Sequence, residues 1–139
     1  MPASILAHLP HRSPFLLVDR VLERQAGIHV VAEKHVGPSD PVVGDPGGAP
    51  GLPAPLLLEM LAQAAGFLEA GSLHGQQIYL AGIQDARFHG TARTGDVLRL
   101  EVKPEAAFGA ITRIAGEVRR DGALLCSASL LLRRGGVAP

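Results

Sequence analysis

The chain has 139 residues, 47% of them apolar, with 13 basic and 13 acidic side chains and a formal net charge of zero. That length fits one domain with a core of its own, and the charge balance excludes nucleic acid or an anionic membrane as a partner selected by bulk electrostatics. The single cysteine, Cys126, excludes an internal disulfide and fits a reducing compartment.

The N-terminus, Met1 to His8, has no basic region followed by an apolar run, so it does not read as a signal peptide. Residues 3–9 suit a short helical turn, stopped near Pro10 and Pro14. Phe15 to Arg24 is strand-like, and Ile28 to Val36 follows as a second strand after the turn Gln25-Ala26-Gly27. Residues 37–55 hold many of the chain's prolines and glycines and predict a shaped loop without regular structure. Helix signals resume near Pro53 to Pro55, where proline is tolerated in a first turn. Leu57, Met60 or Leu61, Ala64 and Leu68 then repeat at helical spacing. This helix is apolar nearly all round, as expected of one enclosed by a sheet.

Beyond Gly75 the pattern is extended. Gln77 to Ile83 leads to Ala86-Arg87-Phe88, and Thr94-Gly95-Asp96 turns the chain. Val97 to Lys103 alternates, with Leu98, Leu100 and Val102 opposite Arg99, Glu101 and Lys103, the mark of a half-buried strand. Ala110 to Arg120 and Leu124 to Arg133 form a hairpin about Asp121-Gly122, and 135–139 reads as a frayed tail. One long helix and about six hairpin-connected strands predict an α+β domain over 1–139, an antiparallel sheet curled around a central helix. Strand edges left over in such a sheet need cover, so two copies are expected to pair edge to edge.

Glu59 stands out. A carboxylate inside Leu56-Leu57-Leu58-Glu59-Met60-Leu61-Ala62-Gln63 is costly unless something satisfies or uses it. It also interrupts the longest apolar run, which argues against a membrane span. Gln63 lies four residues on, so the two polar groups share one helix face. That face is the first candidate for chemistry, and together these features describe a soluble cytoplasmic protein. Near-zero charge favours self-association.

Four separated stretches carry a resemblance. Leu9-Pro10-His11-Arg12-Ser13-Pro14-Phe15-Leu16-Leu17-Val18-Asp19-Arg20-Val21 resembles the opening signature of bacterial 3-hydroxyacyl-ACP dehydratases. Glu59-Met60-Leu61-Ala62-Gln63-Ala64 is similar to the segment holding their catalytic glutamate. Tyr79 to Ile83 with Arg87-Phe88, then Gly95-Asp96 with Leu98-Arg99-Leu100, resemble their later strands in order and spacing. The likeness covers roughly residues 5–134. It implies the hotdog fold, dimers with two sites at the interface, and acyl thioesters carried by acyl carrier protein or coenzyme A as ligands, with no cofactor.

The sequence departs from that pattern at one place. The family's catalytic histidine follows a glycine, and counting back from Glu59 its position falls on Asp45, after Gly44. The glycine that offers an N–H to the thioester carbonyl falls on Ala54, which keeps its N–H at the helix start beside Pro53. The resemblance therefore assigns Glu59 and Asp45 to catalysis and Ala54, Gln63 and Pro53 to substrate binding. Dehydration needs a base at the alpha carbon, donors for the enolate and an acid for the departing hydroxyl. Glu59 can serve the hydroxyl; Asp45 is a weaker base than histidine unless desolvated. Three readings stay open: a dehydratase, alone or with a histidine-bearing partner; a hotdog thioesterase activating water; and a non-catalytic acyl-ACP-binding subunit in a homodimer or heterodimer.

The plainer readings are an orienting role for Gln63, a packing role for His11, and solvated surfaces for His8, His29, His35, His74 and His89. No pair of histidines has metal-ligand spacing beside Cys or acidic residues, so no metal site is expected. Arg12, Asp19 and Arg20 suggest a structural ion pair. Arg113, Arg119, Arg120, Arg133 and Arg134 suggest a solvated strand face, a few of them able to dock an acidic carrier protein.

Overall fold

The structure is a computed structural model that describes residues 17–38, 40, 43–44, 50–68 and 76–136. Six strands form one antiparallel sheet: β1 (Arg20–Gln25), β2 (His29–His35), β5 (Gln76–Phe88), β6 (Val97–Phe108), β7 (Ile111–Arg120) and β8 (Ala123–Gly136), in the order β1-β2-β6-β7-β8-β5. Two short strands, β3 (Val43–Gly44) and β4 (Pro50–Gly51), pair separately. Helix α1 (Ala54–Ala65) continues into a 3-10 turn, Gly66–Leu68.

Turn chemistry fixes the hairpins. Asp121 and Gly122 have φ of 51° and 82°, the two left-handed positions of a type I′ turn, and Arg120 pairs with Ala123 across them. Pro104 lacks a ladder donor, and it sits where the β6–β7 register shifts. Side-chain alternation then sets the core. Leu98, Leu100 and Val102 of β6, Ile114 and Val118 of β7, and Cys126, Ala128, Leu130 and Leu132 of β8 are all buried. Helix α1 lies on this face, against β6, β7, β2 and β8. Leu57, Met60, Leu61 and Ala64 supply its inward stripe. The approach is close at Gly116, where an added Cβ would lie 3.0 Å from Leu61 Cδ1. The 3-10 turn is tied to the first hairpin by Gly27 N–H to Leu68 O, 2.6 Å, and by Arg24 Nε to Phe67 O, 2.7 Å. A cation near the last carbonyls of a helix is favourable there.

Several expectations change. The stretch 37–55 is not wholly irregular, since β3 and β4 pair within it and the helix begins at Ala54. The first strand starts at Arg20, and Leu17 to Asp19 lie outside the ladder. The tail is shorter than expected: Gly135 and Gly136 pair with Gln77 and Gln76, because a ladder needs only backbone groups, which glycine has. The outer side of α1 is not sealed in the single chain, where Leu56, Leu58, Glu59 and Ala62 are half-buried.

The ion pairs are also redistributed. Arg20 pairs with Glu33 at 3.0 Å, not with Asp19, whose carboxylate takes the His35 N–H. Arg12 lies outside the described residues. Arg119 pairs with Glu117 at 2.9 Å. Arg120 is structural rather than free, reaching Asp96 Oδ2 at 2.8 Å and Thr91 O at 3.0 Å. Burial alone would raise Asp96, but the Arg93 N–H and the Arg120 guanidinium outweigh it and hold the carboxyl below its ordinary value. Among the described residues no helix is long and apolar enough to cross a membrane.

Candidate functional site

The start of α1 is built by two constraints. Leu52 N–H donates to Ala92 O at 2.7 Å, and Gly51 bridges to Arg93. Gly51 has no room for a side chain: a Cβ there would meet Thr91 Cγ2 at 2.6 Å and Ala92 O at 3.0 Å. The chain then turns at Pro53 (φ −58°, ψ 138°), which occupies the N-cap without any side-chain cap, and Pro55 sits in the first turn. Ala54, the first helical residue, is exposed. Pro55 has no N–H, and Leu56 N–H is taken by Pro53 O at 2.9 Å. Among the described residues none accepts from the Ala54 N–H, so the helix start presents one donor, at its positive end.

Glu59 stands five residues on, roughly 7.5 Å along the axis. Its Cα–Cβ bond tilts toward the helix start, while five residues of helix turn the two positions about 140° apart around the axis, so Glu59 and Ala54 lie on different faces of α1. The side chain is half-buried in the single chain, less enclosed than the sequence suggested. Gln63, one turn on, is 1% exposed. Its Oε1 accepts the Leu17 N–H at 2.8 Å, and its Nε2 lies 3.4 Å from Glu59 Oε1. Gln63 thus links the segment before β1 to Glu59. Asp45, with Pro46 to Ala49, lies outside the described residues.

Of the residues singled out from the sequence, Pro53, Ala54, Glu59 and Gln63 share one helix and its cap. The histidines do not join them. His35 Nε2 sits 2.7 Å from Glu33 Oε1 on the solvent side of β2, and that hydrogen bond, with Arg20, holds Glu33 below its ordinary value against the opposing effect of burial. His29 pairs with Glu23 at 3.3 Å. His8, His11 and His74 lie outside the described residues. No group of three or more potential metal ligands gathers among the described residues.

The sequence reading passed over one buried charge. Lys34, 4% exposed, reaches Asp40 Oδ1 at 2.7 Å and Asp19 Oδ2 at 3.8 Å. Asp40 Oδ2 also accepts the Gly37 N–H at 2.7 Å. This clamp joins the segment before β1 to the residues leading into β3. The alternation of β2 could have flagged it, because Val30, Ala32 and Lys34 share the inward face.

A family model described as a FabA-like domain matches residues 9–129. The chain belongs to that FabA-like family. A curated relative, the 3-hydroxyacyl-[acyl-carrier-protein] dehydratase FabZ of Dechloromonas aromatica (strain RCB), is 42% identical over 133 residues, 91% of this chain and 92% of its own. The FabZ of Shewanella amazonensis is 41% identical over 136 residues, covering 94% of this chain and 89% of its own. The dehydratase heterocomplex ApeI:P from Xenorhabdus doucetiae superposes with a TM-score of 0.80 at 23% identity, covering 98% of this chain and 92% of that one. That likeness concerns the fold. The resemblance to 3-hydroxyacyl-ACP dehydratases and the hotdog fold are both borne out, and this member of the FabA-like family is dehydratase-like.

Proposed function

We propose that this chain acts on 3-hydroxyacyl thioesters of acyl carrier protein, contributing Glu59 as the acid that serves the 3-hydroxyl. The observation that carries the reading is the joint placement of Glu59 and the open Ala54 N–H on α1, in a chain about two-fifths identical to dehydratases. In the reaction a base removes the C2 proton, and Ala54 N–H stabilises the charge that develops on the thioester oxygen. The C3–O bond then breaks as Glu59 gives its proton to the hydroxyl. Water leaves, and a C2–C3 double bond remains. Asp45 stands where the family's base stands and is the weaker base. The homodimer therefore dehydrates slowly, and a partner bearing the histidine completes a faster site.

Pairing of two copies is supported by β5, an edge strand with Leu80, Ile83 and Phe88 each about two-fifths exposed, at 39%, 41% and 44%, and by the open side of α1. A single-domain cytoplasmic protein fits the buried unpaired Cys126.

The test offers a 3-hydroxyacyl-ACP and a saturated acyl-ACP to the parent, to Glu59→Gln and to Asp45→His. Water loss that Glu59→Gln abolishes and Asp45→His raises supports the reading. Thiol release from the saturated thioester favours a thioesterase. Parent-level water loss by Glu59→Gln removes Glu59 from the mechanism. If Asp45→Ala leaves a substantial homodimer rate unchanged, the base lies elsewhere.

A further inference from the structure

We propose that Arg120 is a positioning residue for the Ala54 N–H: from the end of β7 it holds residues 91–93 in the place from which they set the start of α1. This rests on the reading of the Ala54 N–H as the donor to the thioester oxygen. It adds which side chain fixes that donor, and by what path.

Arg120 is the last residue of β7. Its Nη1 carries two hydrogens, enough for both acceptors it meets. These are Asp96 Oδ2 at 2.8 Å and Thr91 O at 3.0 Å. The same Asp96 oxygen accepts the Arg93 N–H at 2.8 Å. One guanidinium thus grips both ends of the segment, Thr91 directly and Arg93 through Asp96. Between them lies Ala92, fully buried, whose carbonyl takes the Leu52 N–H at 2.7 Å. Thr91 also presses on the neighbouring chain, since a Cβ on Gly51 would meet its Cγ2 at 2.6 Å. A shift of residues 91–93 therefore carries Gly51 and Leu52 with it.

The backbone after Leu52 passes such a shift on. Leu52 is buried and precedes Pro53, which confines it to extended conformations. Pro53 has its φ, −58°, locked by the ring, and its carbonyl is committed to the Leu56 N–H at 2.9 Å. Few soft torsions remain between the Leu52 nitrogen and the Ala54 nitrogen, so the place of Ala92 O decides the place of the Ala54 N–H. An oxyanion donor is effective only within about 2.7–3.1 Å of the oxygen it serves, so small displacements matter. The Arg120 and Asp96 side chains are 32% and 20% exposed. The pair is partly screened, and its loss should loosen the segment rather than unfold the domain.

The probe is hexanoyl-ACP, isotope-labelled at the thioester carbonyl; a saturated chain has no hydroxyl to lose. On binding to the parent, its carbonyl infrared band should move to lower frequency, because a hydrogen bond weakens the C=O bond. Ala54→Pro deletes the N–H, and proline suits both the first helical position and the extended ψ of Pro53, 138°. It should abolish the move and so identify the donor. Arg120→Met should lose roughly half of the move or more. Arg120→Lys keeps a cation without the planar fork; it should lie between, and it carries the comparison if Arg120→Met does not fold. Arg119→Met breaks the neighbouring pair with Glu117, lies outside the path and should keep the parent band. In the Asp45→His homodimer, Arg120→Met should lower kcat for 3-hydroxyacyl-ACP by roughly tenfold with KM nearly unchanged, since the donor acts chiefly in the transition state. A parent move that both Arg120 variants retain overturns the role of Arg120 and leaves Ala54 its own. An equal loss in Arg119→Met, or an effect confined to KM, overturns it too, because general loosening of β7 would then suffice. A parent band that does not move on binding, or moves equally in Ala54→Pro, removes Ala54 as the donor, and the role of Arg120 falls with it.

Discussion

Replacing Lys34 probes how the segment before β1 and the residues leading into β3 are held together. Lys34→Met keeps the bulk of the stem, which is inward-facing, and removes the ammonium. The Asp40 carboxylate, 15% exposed, then keeps the Gly37 N–H but loses the cation at 2.7 Å. Breaking a fully buried ion pair costs about 3–5 kcal/mol. Because Asp40 retains some solvent and one backbone donor, the cost here should be about 2–3 kcal/mol. Asp40→Asn is milder, since an amide oxygen can still accept from Lys34 and Asp19 stays 3.8 Å from Nζ; about 1–2 kcal/mol is expected. The double variant leaves neither charge stranded, so its cost should fall short of the sum by about 1–2 kcal/mol. Urea unfolding at fixed protein concentration measures all three, because self-association adds to apparent stability. Single costs below about 0.5 kcal/mol that simply add would show the clamp to be solvated and refute the reasoning.

Gly116→Val should cost about 1–3 kcal/mol by driving a side chain into the buried Leu61, whose Cδ1 lies 3.0 Å from the Cβ position; a neutral change in urea would mean α1 sits farther from β7. Asp96 has a folded value below its ordinary one. Its contribution is therefore present above the unfolded value, about 3.9, and lost as pH falls through the lower folded value. The stability gap between parent and Asp96→Asn should be constant at neutral pH and close under acid; a gap that grows under acid contradicts the pairing with Arg120. Cys126 is fully buried, and burial pushes its thiol up to about 11. It should resist thiol reagents at neutral pH in the folded protein and label quickly in urea; prompt labelling of the folded protein would place it at the surface.

The periodic parts of this molecule could be read without coordinates. Leu98, Leu100 and Val102 alternate with charged residues, and Asp121-Gly122 admits little but a tight hairpin, because these signals are local and need no knowledge of what packs on them. The helix and its odd carboxylate were visible for the same reason: a charge among leucines is conspicuous wherever the helix lies. The expectation that Asp45 falls at the family's histidine position also needs only counting along the chain. What the sequence alone left undecided involves groups brought together from far apart. Leu17 and Gln63 are 46 positions apart, and the partner of Gln63 is a backbone amide, which every residue but proline carries and no motif can advertise. Lys34 resembles a surface lysine until the sheet buries it and Asp40 comes round to meet it. The exposure of Glu59 was settled only by tertiary structure, since a helix that looks apolar all round is covered by this chain's sheet on one side alone. Periodicity determines which residues can face a core; only the folded chain determines whether something is there to face them.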